Sequence, residues 1–184
     1  SASVNVRAIA ANRRLGTIAS AKLISGFLAT PNLSRALRVE ALYALQSWPQ
    51  ASTLDPIDGR YFPIPAGDLD TLSAAIGPEI WSLANDADDK VSRRAIAVLQ
   101  SIKPNKAQRD QVAGFILDEG QRSAVRKAWL RWLRKQDLAL FTSVGVKALC
   151  SKSPELRVVA AQELTGAKQG RSAVNSYLLA TLKN

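Results

Sequence analysis

Basic side chains are concentrated in one segment of this sequence. From Gln121 to Lys135 there are six positive residues and no acidic one: Arg122, Arg126, Lys127, Arg131, Arg134 and Lys135. At 100° per residue, a helix here has an apolar face made of Val125, Ala128, Trp129, Trp132 and Leu133. Lys127, Arg131 and Arg134 then lie together on the opposite side, with Lys135 beside them. Such a face either stays solvated or contacts phosphate groups.

The chain contains no histidine, which removes the usual general base near neutral pH. Ser-His-Asp and Cys-His catalysis, His-ligated zinc and covalent c-type haem attachment are therefore excluded within these residues. The sequence predicts a protein without catalytic residues, metal ligands or cofactor. An enzyme based on Asp, Glu, Lys or Tyr is the remaining catalytic alternative, and it needs converging side chains that linear sequence does not reveal.

Three carboxylates lie close together in sequence at Asp86, Asp88 and Asp89. Their spacing matches no calcium-binding loop. They directly precede a predicted helix, where unpaired amides and the helix dipole favour negative charge, so we expect them to cap it.

The only cysteine, Cys150, excludes an internal disulfide and follows Leu149, so we expect it to be buried.

A nine-residue motif recurs along the chain, beginning at Leu37, Val91, Val125 and Leu156. In each copy the first position is aliphatic, the fifth is Ala or Trp and the ninth is Leu. Between the copies the pattern predicts helix after helix, at about 1–16, 17–29, 34–48, 69–84, 89–102, 105–118, 121–136, 138–150, 154–167 and 171–182. At Gly77-Pro78 we expect the fourth helix to be kinked or divided. Once an insertion of roughly twenty residues is set aside, the repeat is thirty-odd residues long, which indicates stacked helix pairs.

The copies Leu37-Arg38-Val39-Glu40-Ala41-Leu42 and Leu156-Arg157-Val158-Val159-Ala160-Ala161 resemble the second helix of HEAT-type repeats. This resemblance implies an all-α fold, a right-handed α-solenoid of about five stacked antiparallel helix pairs forming one domain over residues 1–184. The segment from Arg38 through Tyr61-Phe62-Pro63-Ile64 also resembles the HEAT-repeat part of large planctomycete and verrucomicrobial proteins. In those proteins it accompanies a β-propeller dehydrogenase-like domain and a cytochrome c module.

This second resemblance implies that the chain is a fragment of a larger bacterial protein, an expectation that fits the absence of methionine. It also implies a periplasmic or exported location. The haem-binding and dehydrogenase elements are not among these residues, so their chemistry is not carried over. No apolar run is as long as the roughly 18 residues that cross a bilayer, so membrane insertion is not expected.

Within the repeat alignment, Arg93 takes the same position as Lys127, and the two are predicted to extend a positive strip over adjacent repeats. Arginine also occupies the second motif position at Arg38, Arg126 and Arg157, with Arg7 in a degenerate first copy. This position borders the apolar face, so we expect the stem to pack and the guanidinium to bind a carboxylate or helix-end carbonyls. Trp129 and Trp132 are expected in the core.

The insertion at about 49–67 is the second candidate site. Asp58-Gly59 is a tight-turn signal flanked by Ile57, Tyr61 and Phe62, so the segment forms a long loop or a small hairpin, whose strands Pro56, Pro63 and Pro65 would shorten. Insertions in repeat proteins commonly serve binding. A contact surface of Trp48, Asp58, Arg60, Tyr61 and Phe62 is one interpretation, and the other is that these residues only cover the core.

Two functions follow as expectations. The first is a non-enzymatic protein-interaction or scaffold module whose partner is another protein or the neighbouring domains of the same chain. The alternative is a solenoid that binds nucleic acid or another polyanion through its basic face, which the formal charge of +10 favours. Binding that weakens steeply with salt distinguishes the two.

Overall fold

The computed structural model describes residues 2–50, 52–55, 58–64, 69–167 and 170–181. Within these ranges the chain is mostly helical, which confirms the all-α prediction. The helices are α1 (Ala2–Leu15), α2 (Ile18–Leu28), α3 (Arg35–Gln46), α4 (Leu69–Leu83), α5 (Asp89–Leu99), α6 (Lys106–Leu117), α7 (Ser123–Gln136), α8 (Leu138–Ala148), α9 (Pro154–Thr165) and α10 (Gly170–Thr181). None of the helices described is long and apolar enough to cross a membrane.

The chain has two compact units, Ser1–Lys103 and Pro104–Asn184. In the first unit α1 contacts α2 and α3, α2 contacts α3 and α4, and α5 contacts α3 and α4. In the second, each helix from α6 to α10 contacts the next one, and α6–α8, α7–α9 and α8–α10 also pack together. Contacts between a helix and the next but one therefore recur in both units. Whether both belong to one solenoid domain over 1–184 stays a prediction.

Helix boundaries in the first unit follow from local chemistry. Gly16, with a positive φ of 63°, ends α1, and the Thr17 hydroxyl accepts from the Ser20 amide to begin α2. The Ser34 hydroxyl caps α3 by accepting from the Leu37 amide. That helix ends at Gln46, three residues before Pro49. The fourth helix runs through Gly77-Pro78 as one element, so the expected division is not observed.

The insertion contains the small hairpin that the sequence predicts as one of two possibilities. Strand β1 (Ser52–Leu54) pairs antiparallel with β2 (Tyr61–Ile64), with Ser52 opposite Ile64 and Leu54 opposite Tyr61. Gly59 has a positive φ of 69° in the connecting turn, a conformation that glycine adopts without strain. The strands are three and four residues long. Pro56, Ile57 and Pro65, to which the prediction also referred, lie outside the described residues, as do positions 1 and 182 of the predicted terminal helices.

Side-chain caps set the starts of α6, α8 and α9 in the second unit. Asn105 and Gln108 form a reciprocal capping box at α6, Asp137 accepts from the Leu140 amide at α8, and Ser153 caps α9 just before Pro154. Trp129 and Trp132 are fully buried, as predicted, with ring centroids 5.3 Å apart in an edge-to-face arrangement. Large rings in the interior of α7 thereby anchor this unit.

Candidate functional site

Large side chains of the hairpin are exposed. Tyr61 is 75% exposed, Leu54 54% and Phe62 44%, and the charged residues Asp58 and Arg60 are also exposed. We call Leu54, Tyr61 and Phe62 the hairpin face. Tyrosine, phenylalanine and arginine are enriched at protein interfaces, because large rigid side chains bury much area at low entropic cost. The four hairpin residues that the sequence singled out are therefore at the surface, as binding requires.

The root of the hairpin is fixed to α1 through Arg14. Its Nε lies 2.6 Å from Oδ2 of Asp55, and its guanidinium carbon lies 5.5 Å from the centre of the Phe62 ring. Asp55 is only 4% exposed, and Ile64 is buried at the other strand. A buried carboxylate needs such a partner, since an unpaired one is costly. The hairpin therefore combines an anchored base with an exposed face, so each of the two interpretations of the insertion describes part of it.

Trp48 does not belong to this surface, contrary to the interpretation that grouped it with Asp58, Arg60, Tyr61 and Phe62. Its side chain is fully buried, and the Arg13 guanidinium lies 5.3 Å from its ring centre. Arg13, itself 4% exposed, donates from Nη2 to the carbonyls of Ser47 at 2.8 Å and Gln50 at 2.7 Å. A covered ring cannot stack on a ligand. The contacts of Arg13 hold α1 against the end of α3. Sequence reasoning missed Arg13 because no other motif copy has a cation at the eighth position, which it occupies in the degenerate first copy.

The free edge of β1 is partly closed by its own side chain. The Ser52 hydroxyl donates to the carbonyl of Leu54 at 2.9 Å and accepts from the Leu54 amide at 3.3 Å. These backbone groups are thereby partly occupied and are less available to an added strand. Contacts with a partner are consequently expected through the side chains of the hairpin face rather than through strand addition.

Arginines at the second motif position have the structural role predicted for them. Arg126 donates to the Ile116 carbonyl and to Glu119, Arg157 donates to the Ser151 carbonyl at 2.8 Å, and Arg38 binds Asp86. In α5 the same position is Ser92, which is buried and donates to the carbonyl of Ala84 at the end of α4. The degenerate copy differs, since Arg7 is exposed.

Cations on the outer side of α7 are partly neutralised within the second unit. Arg131 and Arg134 both bind the carboxylate of Glu163 on α9, the former at 3.2 Å. Hydrogen bonds from Ser153, its own amide and Ser123 lower the pKa of Glu155, and Lys127 adds to this shift. Lys135 is exposed at the end of the helix. The basic face thus exists, but acidic side chains of α9 compete for it.

Arg93 belongs to the first unit and Lys127 to the second, so a strip that joins them stays a prediction. Within the first unit Arg93 is one of three cations beside a groove of about 450 Å³. The groove is lined by Val39 of α3 and by Lys90, Arg93, Arg94 and Ala97 of α5. We call it the basic groove. Sequence reasoning missed Lys90 and Arg94. The i, i+3, i+4 spacing of Lys90, Arg93 and Arg94 was nevertheless a visible signal that the three cations share one side of a helix.

The acidic cluster caps α5, as predicted. Asp88 accepts from the amides of Lys90 at 2.8 Å and Val91 at 3.4 Å, and the first of these bonds is the main cause that lowers its pKa. Asp86 accepts from the Asp88 amide, and Asp88 also pairs with Arg35 at 2.6 Å. Among the described residues no group of His, Cys, Asp or Glu has the arrangement of a metal site.

No family model, curated protein or solved structure matches this chain. Assignment of a function therefore depends on the surfaces described above.

One further correction concerns Cys150, which is exposed and not buried. It follows the end of α8, where its amide donates to the Lys147 carbonyl, while the preceding Leu149 is the residue that enters the core.

Proposed function

We propose that this chain is a non-enzymatic protein-interaction module of the HEAT-like, α-solenoid kind, and that it connects or recruits domains of a larger bacterial protein. The observation that carries the proposal is the hairpin face: Leu54, Tyr61 and Phe62 are exposed on a hairpin whose base is fixed by Arg14 and Asp55. Exposed aromatic side chains on a rigid support favour binding, because little conformational freedom is lost when they are covered.

Repetition of the same contacts in both units supports the HEAT-like part of the proposal. Each unit contains helices that pack on the next but one, and the second motif position bonds the end of a preceding helix in the copies that begin at Val91 and Val125. Such units bury their apolar faces against neighbours of the same kind. The absence of histidine from the sequence is consistent with binding rather than general acid–base chemistry.

The chemistry of the hairpin defines the kind of partner. Leu54 and Tyr61, which lie opposite each other on the two strands, require an apolar pocket on the other protein. The exposed Arg60 next to Tyr61 favours a carboxylate at the rim of that pocket. Ser52 occupies backbone groups of β1, which favours recognition by side chains over strand addition. We therefore propose that the partner of the hairpin face is a folded protein whose surface has an apolar pocket with an acidic border.

The expected alternative, nucleic-acid binding by the basic face of α7, has less support at that position. Arg131 and Arg134 share Glu163, so a phosphate has to displace an existing ion pair there. Arg126 points inward, where it is 2% exposed and binds Glu119. Arg126, Arg131 and Arg134 are therefore engaged by carboxylates of the second unit.

Site-specific crosslinking tests the protein-interaction proposal. A photoreactive phenylalanine analogue replaces Tyr61 in cells that make the protein, and a second variant has it at Val158, which is 56% exposed on α9. We expect a discrete crosslinked protein from position 61 that is absent from position 158. This protein is then purified, and its affinity for the full chain is measured by calorimetry.

The matched comparison uses Leu54→Ser with Tyr61→Ser against Val158→Ser. Both variants replace exposed apolar side chains, so their thermal stability should remain close to that of the parent. Loss of the two anchors is expected to weaken binding of the purified partner at least tenfold, whereas Val158→Ser leaves it unchanged. Equal affinity of the partner for both variants, or the same crosslinks from both positions, rejects the hairpin as the binding surface.

A further inference from the structure

The basic groove of the first unit brings together residues that are far apart in sequence. Lys90, Arg93, Arg94 and Ala97 occupy one stripe of α5 at i, i+3, i+4 and i+7, and Val39 of α3 completes the lining. At 1.5 Å per residue the stripe is about 10 Å long. Val39 and Ala97 supply a small apolar surface, while the three other side chains are cationic.

The contacts of the two arginines leave their charge available. Arg94 donates from Nη1 to Oε1 of Gln46 at 2.7 Å, and Arg93 donates from Nε to the backbone carbonyl of Asp89 at 3.1 Å. Both acceptors are neutral, so these bonds orient the guanidinium groups without cancelling their charge. A groove with oriented cations binds anions with little reorganisation.

The arginines of α3 on the same pair of helices show the opposite arrangement. Arg35 pairs with Asp88, and Arg38 pairs with Asp86. The two carboxylates therefore serve the start of α5, where Asp88 is also the helix cap. They hold α3 and α5 together at one end and are committed to partners other than Arg93 and Arg94.

An exposed aromatic ring stands next to the cations. Tyr43 on α3 is 51% exposed, and the guanidinium carbon of Arg94 lies 5.4 Å from its ring centre. Gln46 and Tyr43 thus hold Arg94 from the α3 side. Cations that follow a groove beside an exposed aromatic ring are the combination with which proteins bind single-stranded nucleic acids, because the cations contact phosphates and the ring stacks on a base.

We propose that the basic groove binds the backbone of single-stranded nucleic acid, with Lys90, Arg93 and Arg94 contacting phosphates and Tyr43 stacking on a base. An acidic peptide would use the same cations but would gain little from the ring, which is why the nucleic acid is favoured. The formal charge of +10 draws polyanions toward the protein. This site is separate from the hairpin face, and its test is independent of the protein-interaction proposal.

The test is fluorescence anisotropy of a labelled single-stranded 20-mer with the full 184-residue chain over a range of salt concentrations. Arg93→Gln with Arg94→Gln is expected to weaken binding at least tenfold at low salt. Each phosphate contact on a single strand contributes about 0.7 to the slope of log K against log salt, so the slope should fall by about 1.4. The matched control, Arg131→Gln with Arg134→Gln, removes two charges from α7 and should reduce affinity less than threefold.

A second variant separates stacking from charge. Tyr43→Leu keeps an apolar side chain beneath Arg94 and removes the aromatic ring. We expect binding at least fivefold weaker with an unchanged salt slope, since stacking releases no counterions. Far-UV circular dichroism and thermal unfolding verify that each variant is folded. If the double variant Arg93→Gln with Arg94→Gln is not folded, Lys90→Gln with Arg93→Gln replaces it in the same comparison, because both of these residues are exposed.

Three outcomes overturn the proposal. The first is that the parent chain fails to bind the oligonucleotide at 50 mM salt. The second is that the two double variants lose affinity equally, which would indicate a general effect of net charge. The third is that polyglutamate of equal length displaces the oligonucleotide as well as unlabelled oligonucleotide does, which assigns the groove to an acidic protein. A folded Tyr43→Leu variant with unchanged affinity contradicts the stacking role of Tyr43.

Discussion

Arg126 and Glu119 form a bidentate ion pair that joins α7 to the segment following α6. Nη1 of Arg126 lies 2.9 Å from Oε2 of Glu119, and Nη2 lies 3.0 Å from Oε1. Nε donates to the carbonyl of Ile116 at 2.8 Å, and the Ser151 hydroxyl donates to Oε1 of Glu119 at 2.8 Å. One arginine and one glutamate therefore connect the end of α6, the start of α7 and the turn after α8.

This pair predicts a dependence of stability on pH. Hydrogen bonds from Arg126 and then Ser151 lower the pKa of Glu119 from 4.5 to about 2. Because the folded-state pKa is below the unfolded value, the contribution to stability is fully present above pH 4.5 and is lost as the pH falls toward 2. In urea unfolding between pH 6 and pH 2, the free energy of unfolding should fall less for Glu119→Gln than for the parent chain. An identical pH dependence of the two proteins contradicts the assignment.

Removal of the guanidinium tests the structural role of the second motif position. Arg126→Met retains an apolar stem but leaves the buried Ile116 carbonyl without this donor, while Glu119, 39% exposed, regains water. We expect a loss of about 2 kcal/mol in the free energy of unfolding. The control is Arg131→Met, whose side chain is 52% exposed and whose ion pair is at the surface; it should cost less than about 0.5 kcal/mol. Equal costs in denaturant titrations contradict the structural role.

The sequence predicts much of the fold because helix boundaries depend on local chemistry. Thr17, Ser34 and Asn105 cap helices through amides three residues further on, so nearby sequence was sufficient for those boundaries. The inward position of Arg126 followed from its place at the border of an apolar face. Its partner did not, since Glu119 lies across a turn and joins the network through Ser151, 32 residues further on.

The sites were harder to predict because they depend on contacts between distant elements. Arg94 binds Gln46 across 48 residues, and the basic groove forms only when α5 lies against α3. Trp48 was a candidate binding residue because it begins the insertion, but it is buried and Arg13 of α1 lies against its ring. Periodicity indicates which face of a helix is buried and does not identify the element that covers its ends.

Arg14 controls the attachment of the hairpin. Arg14→Met removes the cation beside Asp55, a carboxylate that is 4% exposed. Leaving that group less well paired favours local opening. The amides of Asp55 and Gly59, which donate to Arg60 and Asp55 across the turn, should exchange with solvent about tenfold faster. Arg60→Met, at a side chain that is 86% exposed, serves as the control and should leave exchange unchanged. Unchanged exchange in the Arg14 variant contradicts the anchoring role.

The capping box at α6 predicts a graded effect of substitution. Asn105 accepts from the Gln108 amide at 2.9 Å, and the Gln108 side chain accepts from the Asn105 amide at 2.9 Å. Asn105→Ala removes the first bond and should cost about 1 kcal/mol of unfolding free energy, whereas Asn105→Asp keeps the acceptor and should cost less. Thermal unfolding of the two variants gives the comparison. If alanine and aspartate are equally tolerated, the cap does not contribute to stability.

Cys150 provides a direct test of where α8 ends. The thiol is exposed, whereas Leu149 beside it is 1% exposed. We expect one thiol per chain to react with Ellman's reagent in native buffer at a rate similar to that in denaturant, because no unfolding step is needed to reach it. Cys150→Ser should then leave the thermal midpoint within about 2 °C of the parent, as expected for a surface substitution. A thiol that reacts only after denaturation, or a variant several degrees less stable, shows instead that Cys150 packs in the core and that α8 ends later than Ala148.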